Sequence, residues 1–350
     1  MNGKPLFPET SARIANMGFL CTLLVVVIHL RHIPHDMSAT PLAIHFVFRH
    51  LLGSIAVPFF FIVSGFFLGR RIGEPDWWRC ALWKRLRTLG IPLLFWCLVP
   101  FVLFSVLWTA GEAGGICTRV SMKVSSIAAA FGLNFMTNPE ANRPLWYLRN
   151  LLVLTAMSPA LAWILRKTRG LALAALLVIC WTFNPGTLDI PDYWLSLRWQ
   201  IFWVFGMSVE GLFYFSLGIF LADHPFALTR RRGLALGAVG LAIGFAGLYL
   251  RLHDIIGWSF CVNASIPFVM ALVWTLTPTS PWNRRLTGNA FAVYVIHAVL
   301  IRILFMTDVL SHGSIAALVE WTVIVVWSLV LAILCHRLLP RFSSFIFGGR

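Results

Sequence analysis

His29 is the one ionisable residue in an otherwise apolar run from Phe19 to Leu30. Ionisable groups inside lipid are costly and usually face a cavity or a partner. An imidazole at that point reads in two ways. It can sit at the membrane interface with its polar edge wet, or it can serve as a base, since its unperturbed titration lies near neutral pH. Four more such residues fall within apolar runs: Arg149, Glu210, His297 and Arg302. Arg149 lies five residues after Pro144, about 7.5 Å along a helix, at a depth that could match His29. It reads as a snorkelling side chain or as a fixed cation that steadies a developing negative charge. Glu210 has no oppositely charged neighbour in its own run, so an ion pair with Arg149 or Arg302 is expected, either structural or catalytic. His297 follows Asn289 by eight residues and falls near mid-membrane. Its burial demands a cavity wall or a hydrogen-bond partner such as Tyr294.

A second constellation closes the run Val57–Leu68, where the small polar pair Ser64-Gly65 interrupts bulky apolar residues and Arg70 and Arg71 follow. Glycine there permits close approach by another helix or by a ligand. The loop expected from Arg70 to Arg87 holds six basic residues, among them Lys84, Arg85 and Arg87, a charge density suited to phosphates or simply to fixing topology. Gly233, Gly237, Gly240, Gly244 and Gly247 form one small-residue face and read as helix packing. His32, His35 and Asp36 share a helical spacing, but Pro34 intervenes, so a wet loop is expected and no metal site.

The elements that must position these groups are membrane helices. Hydrophobic residues make up 59% of the 350 and charged residues 12%, about half the charged share of a soluble domain. Apolar runs fall near 14–32, 47–69, 88–109, 144–165, 170–184, 203–222, 233–251, 256–277, 288–308 and 314–338. Each approaches the ~20 residues needed to span a bilayer, and none alternates with period two. The sequence therefore predicts an all-α, polytopic membrane bundle of about ten transmembrane helices, as a single integral membrane domain over 1–350. A loop from about 111 to 143 contains a candidate interfacial helix, 121–133. With the N-terminus inside, 19 of the 28 Lys and Arg fall on the cytoplasmic side and 7 on the other, with Arg149 and Arg302 within spans. The positive-inside rule then predicts both termini cytoplasmic. The net charge of +15 is mostly topological and does not point to nucleic acid. The seven cysteines are scattered without a CxxC pair and read as small buried hydrophobes. No cleavable leader and no internal repeat are evident.

These motifs together resemble the membrane acyltransferase family called acyltransferase-3. The histidine of Val25-Val26-Val27-Ile28-His29 matches the family's first-span histidine, and Pro58-Phe59-Phe60-Phe61-Ile62-Val63-Ser64-Gly65-Phe66 its second-span motif. Lys84-Arg85-Leu86-Arg87 through Pro92 is similar to the basic opening of its third span. Pro144-Leu145-Trp146-Tyr147-Leu148, Phe213 to Gly218, and Tyr294-Val295-Ile296-His297 resemble later elements. One departure stands out. The family often carries an arginine eleven residues before the histidine, and here that position is Gly18, with Arg13 five residues further back.

The resemblance implies transfer of an acyl group, commonly acetyl, from coenzyme A to a glycan hydroxyl, in a bacterial inner (plasma) membrane. A neutral imidazole must take the hydroxyl proton during attack on the thioester, and the tetrahedral oxyanion wants a cation or donors nearby. Under that reading His29, Arg149 and Ser64 are the catalytic residues. Arg70, Arg71, Lys84, Arg85 and Arg87 hold the acyl-CoA phosphates. Trp146, Tyr147, Glu210 and His297 face the acceptor, a glycan or lipid-linked sugar. Trp194 and Trp199 flank the acceptor side. Direct transfer and a covalent acyl relay both stay open, as does oligomeric state. Two other classes fit the same features: a transporter or flippase of a lipid-linked sugar, and a catalytically dead sensor or scaffold, which would account for Gly18.

Overall fold

The computed structural model describes residues 6–30, 39–109, 142–183, 208–224, 227–307 and 314–349. Every regular element among them is helical. Helix α1 (Pro8–His29) opens with proline, whose fixed φ suits a first turn, and closes where the Leu30 amide returns to the Val27 carbonyl. Helix α2 (Ala39–His45) runs through a π-helical turn, Phe46–Leu52, and a short 3₁₀ turn into α3 (Ala56–Gly69). Then follow α4 (Trp77–Arg85), a second π-turn (Leu86–Gly90), α5 (Ile91–Thr109), α6 (Trp146–Lys167), α7 (Leu171–Phe183) and α8 (Val209–Asp223). The rest are α9 (Arg230–Leu252), α10 (Trp258–Leu276), the short α11 (Arg284–Thr287), α12 (Ala290–Thr307), α13 (Ser314–Leu338) and α14 (Pro340–Ile346).

Among the described residues, seven stretches are long and apolar enough to cross a membrane: Pro8–His29, Leu42–Gly69, Trp77–Leu103, Arg143–Lys167, Arg230–Leu252, Trp258–Leu276 and Ala316–Leu338. Leu171–Trp181 and Ala290–Leu304 are shorter apolar helices at expected spans, and α8 occupies most of another. Two expectations need correction. The basic stretch after Arg70 is a tight turn only to Asp76; from Trp77 it is helix, continuous through the π-turn with α5. The first span starts at Pro8, earlier than the hydropathy run. The candidate interfacial helix 121–133, the group His32, His35 and Asp36, and Trp194 and Trp199 lie outside the described residues.

Prolines inside helices set the inter-helix contacts. Pro159 in α6 cannot donate to the Thr155 carbonyl. That carbonyl instead accepts from Ser158 Oγ at 2.7 Å and from Trp78 Nε1 at 3.2 Å, which pins α4 across the middle of α6. Pro100 in α5 likewise leaves the Trp96 carbonyl without its helical donor, and Asn142 Nδ2 takes it at 3.1 Å. The same amide reaches the Val295 carbonyl of α12 at 3.3 Å, and the Tyr294 hydroxyl donates to the Pro144 carbonyl. The start of α6 is thereby tied between α5 and α12.

Glycines let two helix pairs approach closely. A Cβ on Gly65 of α3 would run into the Phe215 carbonyl of α8, and one on Gly218 of α8 would lie 2.8 Å from the Phe66 amide nitrogen. The five glycines of α9 are all buried, and Gly233, Gly237 and Gly240 meet Thr275, Leu272 and Phe268 of α10, as the small-residue face predicts. Of the cysteines, Cys21, Cys97 and Cys180 are buried, but Cys80 is exposed, on the outward face of α4.

Candidate active site

Helix α1 stands between α3 and α12, and Asn16 fixes its height. Its amide donates to the carbonyls of Pro278 and Ser280 at 3.0 and 2.8 Å, and its oxygen accepts from the Trp282 amide at 3.0 Å. The turn before α12 therefore grips α1 two turns in from Pro8. His29 lies thirteen residues further on, about 20 Å along the axis. His29 is the last residue of α1 and half-buried, at the end of its span as the sequence places it.

The structure brings His29 against His297. Their ring centroids are 5.2 Å apart with planes inclined at 59°. His29 Nδ1 lies 2.8 Å from the Val25 carbonyl, and His297 Nδ1 lies 2.6 Å from the Tyr294 carbonyl. A carbonyl can only accept, so each neutral ring carries its proton on Nδ1 and presents Nε2 as a lone pair. His297 is fully buried, and its Nε2 has no hydrogen-bond partner among the described residues. Val26, Val293 and Ile301 pack in an apolar cluster beside this pair. Two lone pairs in such surroundings suit acceptance of a proton from a hydroxyl brought between the helices. Single-residue inspection of the sequence treats the two histidines as rivals; their adjacency depends on the grip at Asn16, which no local signal gives.

A cavity of about 670 Å³, lined by neither histidine but reaching Tyr294, opens beside Arg70, within the usual range for small-molecule sites. Ser64, Arg70, Arg71, Lys84, Arg85 and Tyr147 all contribute to its wall, with Phe60, Val63, Phe67 and Phe291 supplying apolar surface and Thr22 and Tyr294 closing the deep end. Arg85 Nη2 donates to the Ser64 carbonyl at 3.0 Å, and its guanidinium lies over Phe215. Arg71 pairs with Glu74 at 3.2 Å. Ser64 Oγ and the Tyr147 hydroxyl stand 3.5 Å apart, a pair of donors on one wall. The rings of Tyr147 and Tyr294 are 6.1 Å apart, and those of Tyr294 and His297 are 6.0 Å apart. Ser64, Tyr147, Tyr294 and His297 thus neighbour one another in turn between the cationic cavity and the histidine pair.

Other residues singled out in the sequence lie off this wall. Arg87 stacks on Trp83 at 4.9 Å and points away from the cavity. Trp146 packs on Phe61. Arg149 is buried, 4% exposed, beside Cys97. It does not snorkel to a surface, because the start of α6 is drawn into the bundle by Asn142 and Tyr294. Glu210 sits in the first turn of α8, capped by Ser208, with Cys180 and Tyr214 as its electrostatic neighbours in place of the expected Arg149 or Arg302. Arg13 lies over Trp274 at 5.3 Å, remote from the wall. The space beside Gly18 is bordered by Phe60 and Phe59 at 3.8 and 3.9 Å. Arg85, which the sequence assigns only to phosphate binding, hydrogen-bonds the Ser64 carbonyl of the second-span motif.

The fold and site define a multi-pass helical membrane protein with a cation-lined cavity and, beyond it, a half-buried and a fully buried imidazole in contact. Residues 16–337 match the family described as "Acyltransferase domain", and the chain belongs to this family, acyltransferase-3. It is also similar to the succinoglycan biosynthesis protein ExoH of Rhizobium meliloti (strain 1021), 26% identical over 266 residues that cover 71% of this chain. The chain spans about 65% of that relative's length. No solved structure matches.

Proposed function

We propose that this chain is an O-acyltransferase that moves an acyl group, acetyl by family precedent, from cytoplasmic acyl-CoA to a hydroxyl of a cell-surface or lipid-linked glycan. The observation that carries the reading is the line from the cationic cavity through Tyr147 and Tyr294 to the paired His29 and His297. Similarity to a protein of succinoglycan biosynthesis supports a polysaccharide acceptor.

The residues present fit the donor. Four cations, Arg70, Arg71, Lys84 and Arg85, face one cavity whose deeper wall is apolar, a match for phosphates at the mouth and an uncharged arm beyond. When bound, the donor supplies a thioester carbonyl. Ser64 Oγ and the Tyr147 hydroxyl are the donors placed to steady an oxyanion on that wall. His29 Nε2 takes the acceptor's proton, and its Nδ1, held on the Val25 carbonyl, keeps the ring in the basic tautomer. His297 holds the ring across from it.

If the cations bind donor phosphates, reversing Arg70 and Arg71 to glutamate weakens acyl-CoA affinity. Each lost charge-assisted contact costs about tenfold to a hundredfold. Equilibrium binding to the purified variant reads this, and unchanged affinity in a correctly inserted protein returns both residues to topology alone. The same reading requires the Arg70 end to be cytoplasmic. Single cysteines at positions 79 and 231 should resist a membrane-impermeant thiol reagent in intact cells, while cysteines at 123 and 192 react. Labelling at 79 or 231 contradicts the orientation.

A further inference from the structure

The end of the bundle opposite the cationic cavity carries cations of its own. Arg49 lies in the π-turn Phe46–Leu52, and Arg251 in the last turn of α9. Twenty-one residues of nearly continuous helix separate Arg49 from Arg70, about 30 Å. Charge placement predicts few cations at this end, so topology does not account for two guanidiniums converging here. Both lie within electrostatic reach of His50. Arg49 Nη1 is 3.4 Å from His45 Nε2, the rings of His45 and His50 are 5.6 Å apart, and His50 meets the Trp258 ring edge-on at 5.2 Å. Arg251 lies 5.7 Å over that same Trp258. Asp254 answers Arg251 at 3.0 Å, whereas Arg49 has no acidic partner among the described residues. A partly buried guanidinium facing two imidazoles is unbalanced, and an anion would balance it. Arg49 and His50 both lie in the π-turn, a feature frequent at functional sites.

We propose that Arg49, Arg251, His45 and His50, against Trp258, form a binding site for the phosphate group of a membrane-surface ligand, either a phospholipid headgroup or a sugar phosphate. Arginine presents paired N–H donors that match phosphate oxygens, and tryptophan suits the headgroup level of a bilayer. The site lies on the same side of the bundle as the far end of α1, since Gly53, one turn after Arg49, abuts Ile28. A ligand held there would be next to His29; that link to acyl transfer rests on the function proposed above, whereas the binding does not.

The test uses the full chain in micelles of a non-ionic, phosphate-free detergent. Calorimetry compares short-chain phosphatidate, the uncharged diacylglycerol of the same chains, and glucose 1-phosphate. Phosphatidate should bind at least about tenfold more tightly than diacylglycerol, and Arg49→Gln with Arg251→Gln should remove at least that factor. Arg251→Gln alone, at the exposed end of α9, should weaken binding several-fold and guards against misfolding of the double variant. Glucose 1-phosphate binding as tightly as phosphatidate identifies a sugar phosphate as the ligand; preference for phosphatidate identifies a lipid headgroup. Equal binding of diacylglycerol and phosphatidate, or unchanged affinity in the folded variants, overturns the site. His29→Ala should bind phosphatidate normally, so a failure of acyl transfer leaves this result intact.

Discussion

His29→Ala is expected to lower acyl transfer by about two to four orders of magnitude while membrane insertion and donor binding persist. The donor-facing cations belong to the turn after α3 and to α4, and His29 to α1, so the imidazole can be lost without touching the phosphate contacts. The ring's Nδ1 is committed to the Val25 carbonyl, which leaves Nε2 as the proton acceptor. His29→Gln offers an amide of similar reach that cannot take a proton, and it should be nearly as inactive. His297→Ala is the control. It removes the opposing ring at 5.2 Å but leaves the base, so its loss should be smaller than that of His29→Ala. The opposite order, read as initial transfer rates, would make His297 the base, and full activity in both variants would end histidine base catalysis here.

Gly65→Val should be the most damaging substitution for stability. Its Cβ would meet the Phe215 backbone, including the carbonyl carbon at 3.0 Å, and the Ile219 nitrogen at 3.2 Å. Backbone in a neighbouring helix cannot swing aside as a side chain can, so α3 and α8 must separate. Overpacking of this kind costs about 3 kcal/mol. Because Arg85 reaches the Ser64 carbonyl next door, the donor cavity should distort as well. Gly18→Ala is the matched comparison. Its added Cβ meets nothing closer than Phe60 at 3.8 Å, and replacing a mid-helix glycine should gain up to about 1 kcal/mol. Thermal unfolding of the two proteins in detergent checks the pair. A Gly65→Val protein that melts with the wild type would show that the α3–α8 contact yields more readily than its geometry suggests.

Much of the scaffold was legible in the sequence because a bilayer leaves few options: long apolar runs must be helices. The glycine face of α9 and the break at Ser64-Gly65 were readable as close-packing sites, and the structure places a helix against each. The cavity was partly readable, since the motif cations fall near one another along the chain. What could not be read was the match between distant helices. That His29 of α1 meets His297 of α12 depends on where the turn 278–282 grips Asn16, some 260 residues away in sequence. Arg149 seemed to be near a surface because α6 was taken to start there. In fact the Pro100 gap in α5 recruits Asn142 and draws that start inward. Arg87 looked equivalent to Arg85, but helical geometry two residues apart sends the two side chains to different faces. Pairings of this kind arise from contacts between distant segments, and hydropathy carries no trace of them.

The most direct test of the account follows the acyl group itself. Purified protein is reconstituted in vesicles with acyl-CoA labelled on the acyl carbon and with the cell's own surface glycan or its lipid-linked precursor. The account predicts label in the glycan with wild-type protein and almost none with His29→Ala. Glycan that binds or crosses the membrane while the label stays on coenzyme A would contradict it and favour a transporter or an inactive scaffold.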